Sequence, residues 1–91
     1  MSVEMTDEQL RAAIMQFLMQ KGRWGAHYFP VDTMVNWLGR KVRKNGKRVE
    51  RTIKNLVKED YLLVHKKGGT VSLNPAQSRE IQEYIEKNPP R

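Results

Sequence analysis

A chain of 91 residues with 38% hydrophobic and 30% charged composition is long enough for one domain around one core and too short for two. The absence of cysteine excludes disulfides, thiolate zinc sites and cysteine nucleophiles, and no run approaches the ~20 apolar residues of a bilayer span. The start of the chain also lacks the basic, then apolar, then small-residue order of a secretion signal, so a cytoplasmic protein without a membrane role is expected, and a formal charge of +7 calls for an anionic partner.

A first helix is predicted over 6–21. Thr6 can cap it while Gln9 reaches back, and Asp7 and Glu8 complement the dipole. Leu10, Ile14, Phe17 and Leu18 make one apolar stripe, and Lys21 with Gly22 supplies a cationic last turn and a left-handed stop. Trp24 and Gly25 then read as a loop, with His27, Tyr28 and Phe29 a very short strand before Pro30. The second helix, over 31–39, takes Asp32 as its cap and Gly39 as its stop, with Val31, Met34, Val35 and Leu38 on one face. Trp37 lies off that face and is expected to cover a neighbouring element.

Arg40, Lys41, Val42, Arg43 and Lys44 form a charged connection from which Val42 plugs back into the core. Asn45 caps a third helix over 45–59. Val49, Ile53, Leu56 and Val57 repeat the apolar spacing, and at about 100° per residue they point away from Lys47, Arg51 and Lys58, with Arg48, Lys54 and Asn55 flanking. A hairpin over 61–73 turns at Lys67, Gly68 and Gly69, with Leu62, Val64, Val71 and Leu73 inward. Asn74 and Pro75 cap and open a last helix over 75–88, carrying Ile81, Tyr84 and Ile85.

The predicted fold is therefore mainly α with a small β-hairpin. Its order of helix, short strand, helix, helix and glycine-tipped hairpin resembles the winged helix-turn-helix superfamily from about Thr6 to Asn74. In particular, Trp37, Leu38 and Gly39 resemble the end of the family's second helix. The run RVERTIKNLVKEDYL, Arg48 to Leu62, resembles its recognition helix entering the first wing strand. The resemblance implies a three-helix core plus wing, here with an extra C-terminal helix, and a role in binding nucleic acid. Two departures stand out. Eight residues separate Gly39 from Arg48, about twice the usual turn, and Asp60 stands where the family often has glycine.

From Arg40 to Lys58 the chain carries nine basic residues and one acid, Glu50, a net charge of +8 that leaves −1 for the remainder of the molecule. Solvated faces normally mix signs, so this segregation is the strongest functional signal in the sequence. The candidate nucleic-acid contacts are Arg40, Lys41, Arg43, Lys44, Lys47, Arg48, Arg51, Lys54, Asn55 and Lys58, joined by Lys66 and Lys67 at the hairpin tip. Arg51 suits guanine edges and Asn55 adenine, while the lysines suit phosphates.

Trp24, Tyr28 and Trp37 fit the core rim better than a stacking platform for unpaired bases, since they are not interleaved with the basic run. His27 and His65 lack the partners of a metal site, and no nucleophile, base and orienter set stands out, so neither cofactor nor enzyme activity is expected. Double-stranded DNA is the leading partner, through a transcriptional regulator's sequence readout. An RNA-binding form and a protein-docking module are the alternatives. The stripe of Ile81, Tyr84 and Ile85 either packs on the chain's own first helix around Leu10 and Phe17 or pairs two copies through their terminal helices.

Overall fold

In the computed structural model of the chain the described residues are 5–41 and 46–89, apart from the side chains of Arg40 and Lys41. The expected plug at Val42 and cap at Asn45 lie outside the described residues.

Helix α1 (Asp7–Gln20) begins as its sequence dictates. The Thr6 hydroxyl accepts from the Gln9 amide at 3.1 Å, and the Gln9 side chain accepts from the Thr6 amide at 3.1 Å, so two free donors are satisfied reciprocally. Its end is equally local. Gly22 adopts φ 67°, its amide bonds Met19 O and that of Arg23 bonds Leu18 O, which is the paired closure that a left-handed glycine allows. More of α1 is buried than one stripe, since Ala12, Ala13 and Met15 join Leu10, Ile14, Phe17 and Leu18. The cause is its central position, packed by α3 (Gly46–Lys58), by α4 (Ser78–Lys87) and by the sheet.

The sheet has three antiparallel strands in the order β1-β3-β2, so a third strand joins the expected hairpin. Strand β1 is only Phe29–Pro30, shifted from the expected 27–29, with Phe29 opposite Val71 and Pro30 opposite Thr70. Proline is tolerated there because β1 lies on an edge and its missing amide breaks no ladder.

Helix α2 (Val31–Lys41) follows without a loop. Two sequence expectations are corrected here. Asp32 lies in the first turn and is not the cap, because the helix already begins at Val31, whose amide bonds Gly69 O at 3.0 Å. Gly39 does not stop the helix but lies buried within it. Val31, Met34 and Leu38 are buried as expected, and Trp37 covers Phe17 with ring centroids 5.0 Å apart.

Helix α3 buries Val49, Thr52, Ile53 and Leu56. It ends in the same closure as α1, with Asp60 N–H on Val57 O and Tyr61 N–H on Leu56 O. Asp60 takes φ 67°, the conformation glycine would adopt there, so the corner survives the departure at this position. We expect Asp60→Gly to stabilise the fold by about 0.5 to 1 kcal/mol net of glycine's larger unfolded-state entropy. Thermal unfolding would then shift up by roughly 2 to 8 °C, and an unchanged or lower midpoint would refute the strain.

Strands β2 (Leu62–His65) and β3 (Thr70–Leu73) pair with Leu62 opposite Leu73 and Val64 opposite Val71. Leu62, Val71 and Leu73 are buried, whereas Val64 is 47% exposed and corrects the expectation that all four face the core. The alternation holds, but Val64 lies on the edge strand β2, whereas Val71 opposite it lies on the central strand β3 and is buried. Ser72 is buried on the opposite face because β3 is central, and its hydroxyl donates to Gly25 O at 2.6 Å. The turn centres on Lys66 and Lys67, at φ 53° and 54°, with Gly68 N–H on His65 O. That places it one residue earlier than expected.

Asn74 accepts from the Ala76 amide at 3.0 Å and opens a 3-10 turn, Pro75–Gln77, before α4 begins at Ser78. The last helix therefore starts three residues later than expected in α form. Ile81 is fully buried, Tyr84 and Ile85 pack half-buried on the core, and α4 lies against α1. The stripe is thus covered within the chain, although Phe17 packs on Phe29 and Trp37. One cluster of buried side chains draws on all four helices and the sheet.

Candidate nucleic-acid interface

With Val49, Ile53 and Leu56 held in the core, geometry exposes the opposite face of α3, and Lys47, Arg51, Lys54, Asn55 and Lys58 are all exposed there. Arg51 and Asn55 stand one turn apart and share a concavity of about 280 Å³ with Asp7, Arg11, Arg48 and Thr52. On the other flank, Lys54 and Lys58 face Lys67 of the hairpin across a cleft of about 340 Å³. The fold thus brings the basic helix and the hairpin tip to one side of the molecule, with Lys66 exposed beside Lys67.

Arg48 is placed differently from the other cations. Its guanidinium donates to Met5 O at 2.7 Å and to the Asp7 carboxylate at 2.9 Å, and its side chain is 19% exposed. It ties the start of α1 to α3 and so orients the exposed face. The side chains of Arg40 and Lys41, and all of Arg43 and Lys44, lie outside the described residues.

Sequence reasoning missed Arg11. Its guanidinium makes two bonds to Glu59 just past the end of α3, one of them 3.0 Å long, and lies 5.9 Å from the Tyr61 ring centroid and 5.4 Å from that of Tyr84. The Glu59 hydrogen bonds raise the Arg11 pKa above its ordinary value, and the same bonds lower that of the Glu59 carboxyl. Burial raises the pKa of Tyr84, against the opposing pull of Arg11. This contact locks α3 to α1 and α4 on the side away from the hairpin. No short-range pattern announces it, since the partners are 48 residues apart.

The aromatic residues stand elsewhere. Trp24 is half-buried on the core, Tyr28 stacks on His65 at 4.7 Å, and Trp37 rests on Phe17. None of the three lines either concavity beside α3. Among the described residues no group of three or more His, Asp or Glu side chains could hold a metal ion, and no helix is long and apolar enough to cross a membrane. No protein-family model matches the chain, and neither the curated proteins nor the solved structures contain a match to it.

Proposed function

We propose that this chain is a winged-helix protein that binds double-stranded DNA, with α3 as the helix entering the major groove and the β2–β3 hairpin as the wing. The reading extends to sequence-dependent binding and transcriptional regulation. What carries it is the segregation of charge, since the Arg40 to Lys58 segment is +8 while the remainder is −1, and Lys47, Arg51, Lys54 and Lys58 are exposed on one face of α3. A solvent-facing helix has no physical need for such one-signed charge, whereas a polyanion does. The element order and the pairing of β1 with the hairpin support the winged-helix reading.

An α-helix fits the major groove of B-form DNA, where bidentate Arg and Asn side chains distinguish base pairs. Arg51 and Asn55, adjacent on the exposed face, take that role. Lys47, Lys54 and Lys58 engage phosphates and set orientation.

Arg51→Ala should cost about 1 to 3 kcal/mol on a preferred sequence and little on random duplex, whereas Lys58→Ala should weaken both by similar factors. Fluorescence anisotropy against selected and random duplexes reads the contrast. Equal factors for both variants would make Arg51 a phosphate contact, and failure of the parent chain to bind duplex DNA would overturn the function.

A further inference from the structure

The cleft of about 340 Å³ between α3 and the hairpin has a floor and a rim of opposite character. Val31, Ile53 and Val71 are buried beneath it, Val57 is half-buried and Val64 is 47% exposed. Val64 and Trp37 are the two large apolar side chains left exposed among the described residues. Lys54, Lys58 and Lys67 stand exposed around the cleft against one acid, Glu50, and no aromatic ring lines it. Phosphates alone would be served by the lysines and would gain nothing from the branched aliphatic side chains beneath them. An apolar chain with an anionic end uses both, and the volume lies within the ~300 to 1,000 Å³ of small-molecule sites.

The geometry points to this cleft as a binding site for an unbranched aliphatic carboxylate. Glu50, Lys54 and Lys58 follow one another at successive turns of α3, so Lys54 and Lys58 rise about 6 Å apart and the acid lies about 12 Å from Lys58 along the axis. The carboxylate therefore sits between Lys54 and Lys58, at the end of the row away from Glu50, and the chain covers Val57 and Val64. Each methylene fully removed from water improves binding up to about fourfold, and an open cleft that shields one side of the chain yields about twofold. The site itself stands independently of the duplex-binding reading. Competition with DNA rests on that reading, because Lys54, Lys58 and Lys67 then belong to both surfaces, and the carboxylate becomes an effector that releases the protein from the duplex.

The full chain, isotope-labelled, is titrated with butanoate, hexanoate and octanoate at fixed ionic strength and below micelle formation, and its amide resonances are followed. Those of Val64, Gly68 and Val71 should move, while those of Phe17 and Trp37, which line a separate hollow, should stay. Affinity should rise about 2- to 4-fold per added methylene. Val64→Asp sets a like charge on an exposed position outside the core and should weaken octanoate about 10-fold. Lys58→Gln should weaken it about 2- to 5-fold, and tests the site should Val64→Asp not fold. A flat chain-length series, shifts centred on Trp37, or unchanged octanoate affinity in the folded variants would overturn the inference and leave duplex binding intact. At about ten times its dissociation constant, octanoate should weaken duplex binding about 10-fold relative to acetate at the same concentration. Octanoate held in the cleft by a parent that binds no duplex would support the site and remove the functional reading alone.

Discussion

With the proposed interface on duplex DNA, affinity should fall about three orders of magnitude between ~50 and ~200 mM salt. Five described lysines stand exposed on the proposed interface, namely Lys47, Lys54, Lys58, Lys66 and Lys67, with Arg51 assigned to a base. Five phosphates neutralised would release condensed counterions with a log-log slope of about −4.5. Arg48 is left out of this count because it is bonded to Met5 and Asp7. The hairpin contribution separates cleanly from the rest. Lys66 and Lys67 occupy left-handed backbone positions that asparagine or glycine fill with less strain. The double variant Lys66→Asn, Lys67→Gly should therefore be more stable yet bind with a slope shallower by about two. A parent slope shallower than about −2, or an unchanged slope in the double variant, would remove the counterion mechanism or the hairpin from it, respectively.

That a chain should keep two lysines in strained turn positions bears on how a sequence is read. Local rules succeeded where a few neighbouring residues decide the outcome. Thr6 with Gln9 starts α1, Gly22 stops it, and the Val49, Ile53, Leu56 spacing buries α3 in the expected orientation. They failed where another part of the chain intervened. Gly39 reads as a stop, yet α2 continues past it to Lys41. Asp32 reads as a cap, but the carbonyl of Gly69 meets the helix start first. Val64 obeys the alternation and is still exposed, because the extent of the core is a property of the packed elements.

The same distinction applies to the interface. The charge of α3 and its outward face are written in 13 consecutive residues, Gly46–Lys58. Which cations remain outward depends on distant partners. Arg48 is drawn to Asp7 and Arg11 to Glu59, over separations of 41 and 48 residues. Neither pairing leaves a trace in spacing or composition. The cleft that holds Val64 likewise exists only once β2 has paired with β3 beside α3.

The stability of the chain should depend heavily on Ile81, and independently of protein concentration. The stripe of Ile81, Tyr84 and Ile85 has two readings in the sequence, a core element or a surface that pairs two copies. In the fold Ile81 is fully buried and α4 packs on α1 of the same chain, while Tyr84 lies beside Arg11 and Tyr61. Ile81→Ala removes a buried branched side chain and leaves a cavity, at a cost of about 2 to 5 kcal/mol. That is a large share of the roughly 5 to 14 kcal/mol expected for a domain of this size, and it should lower the unfolding midpoint by about 10 to 25 °C. Tyr84 is only half-buried, so Tyr84→Glu should cost less and leave a folded protein. Had the stripe served mainly to pair two copies, both variants would sediment as stable monomers. The parent's midpoint would then rise with protein concentration, since association stabilises by mass action. Calorimetry at two concentrations, with sedimentation of parent and variants, separates these outcomes. A parent midpoint that rises with concentration, together with an undiminished midpoint for monomeric Ile81→Ala, would move α4 from the core to an interface between copies.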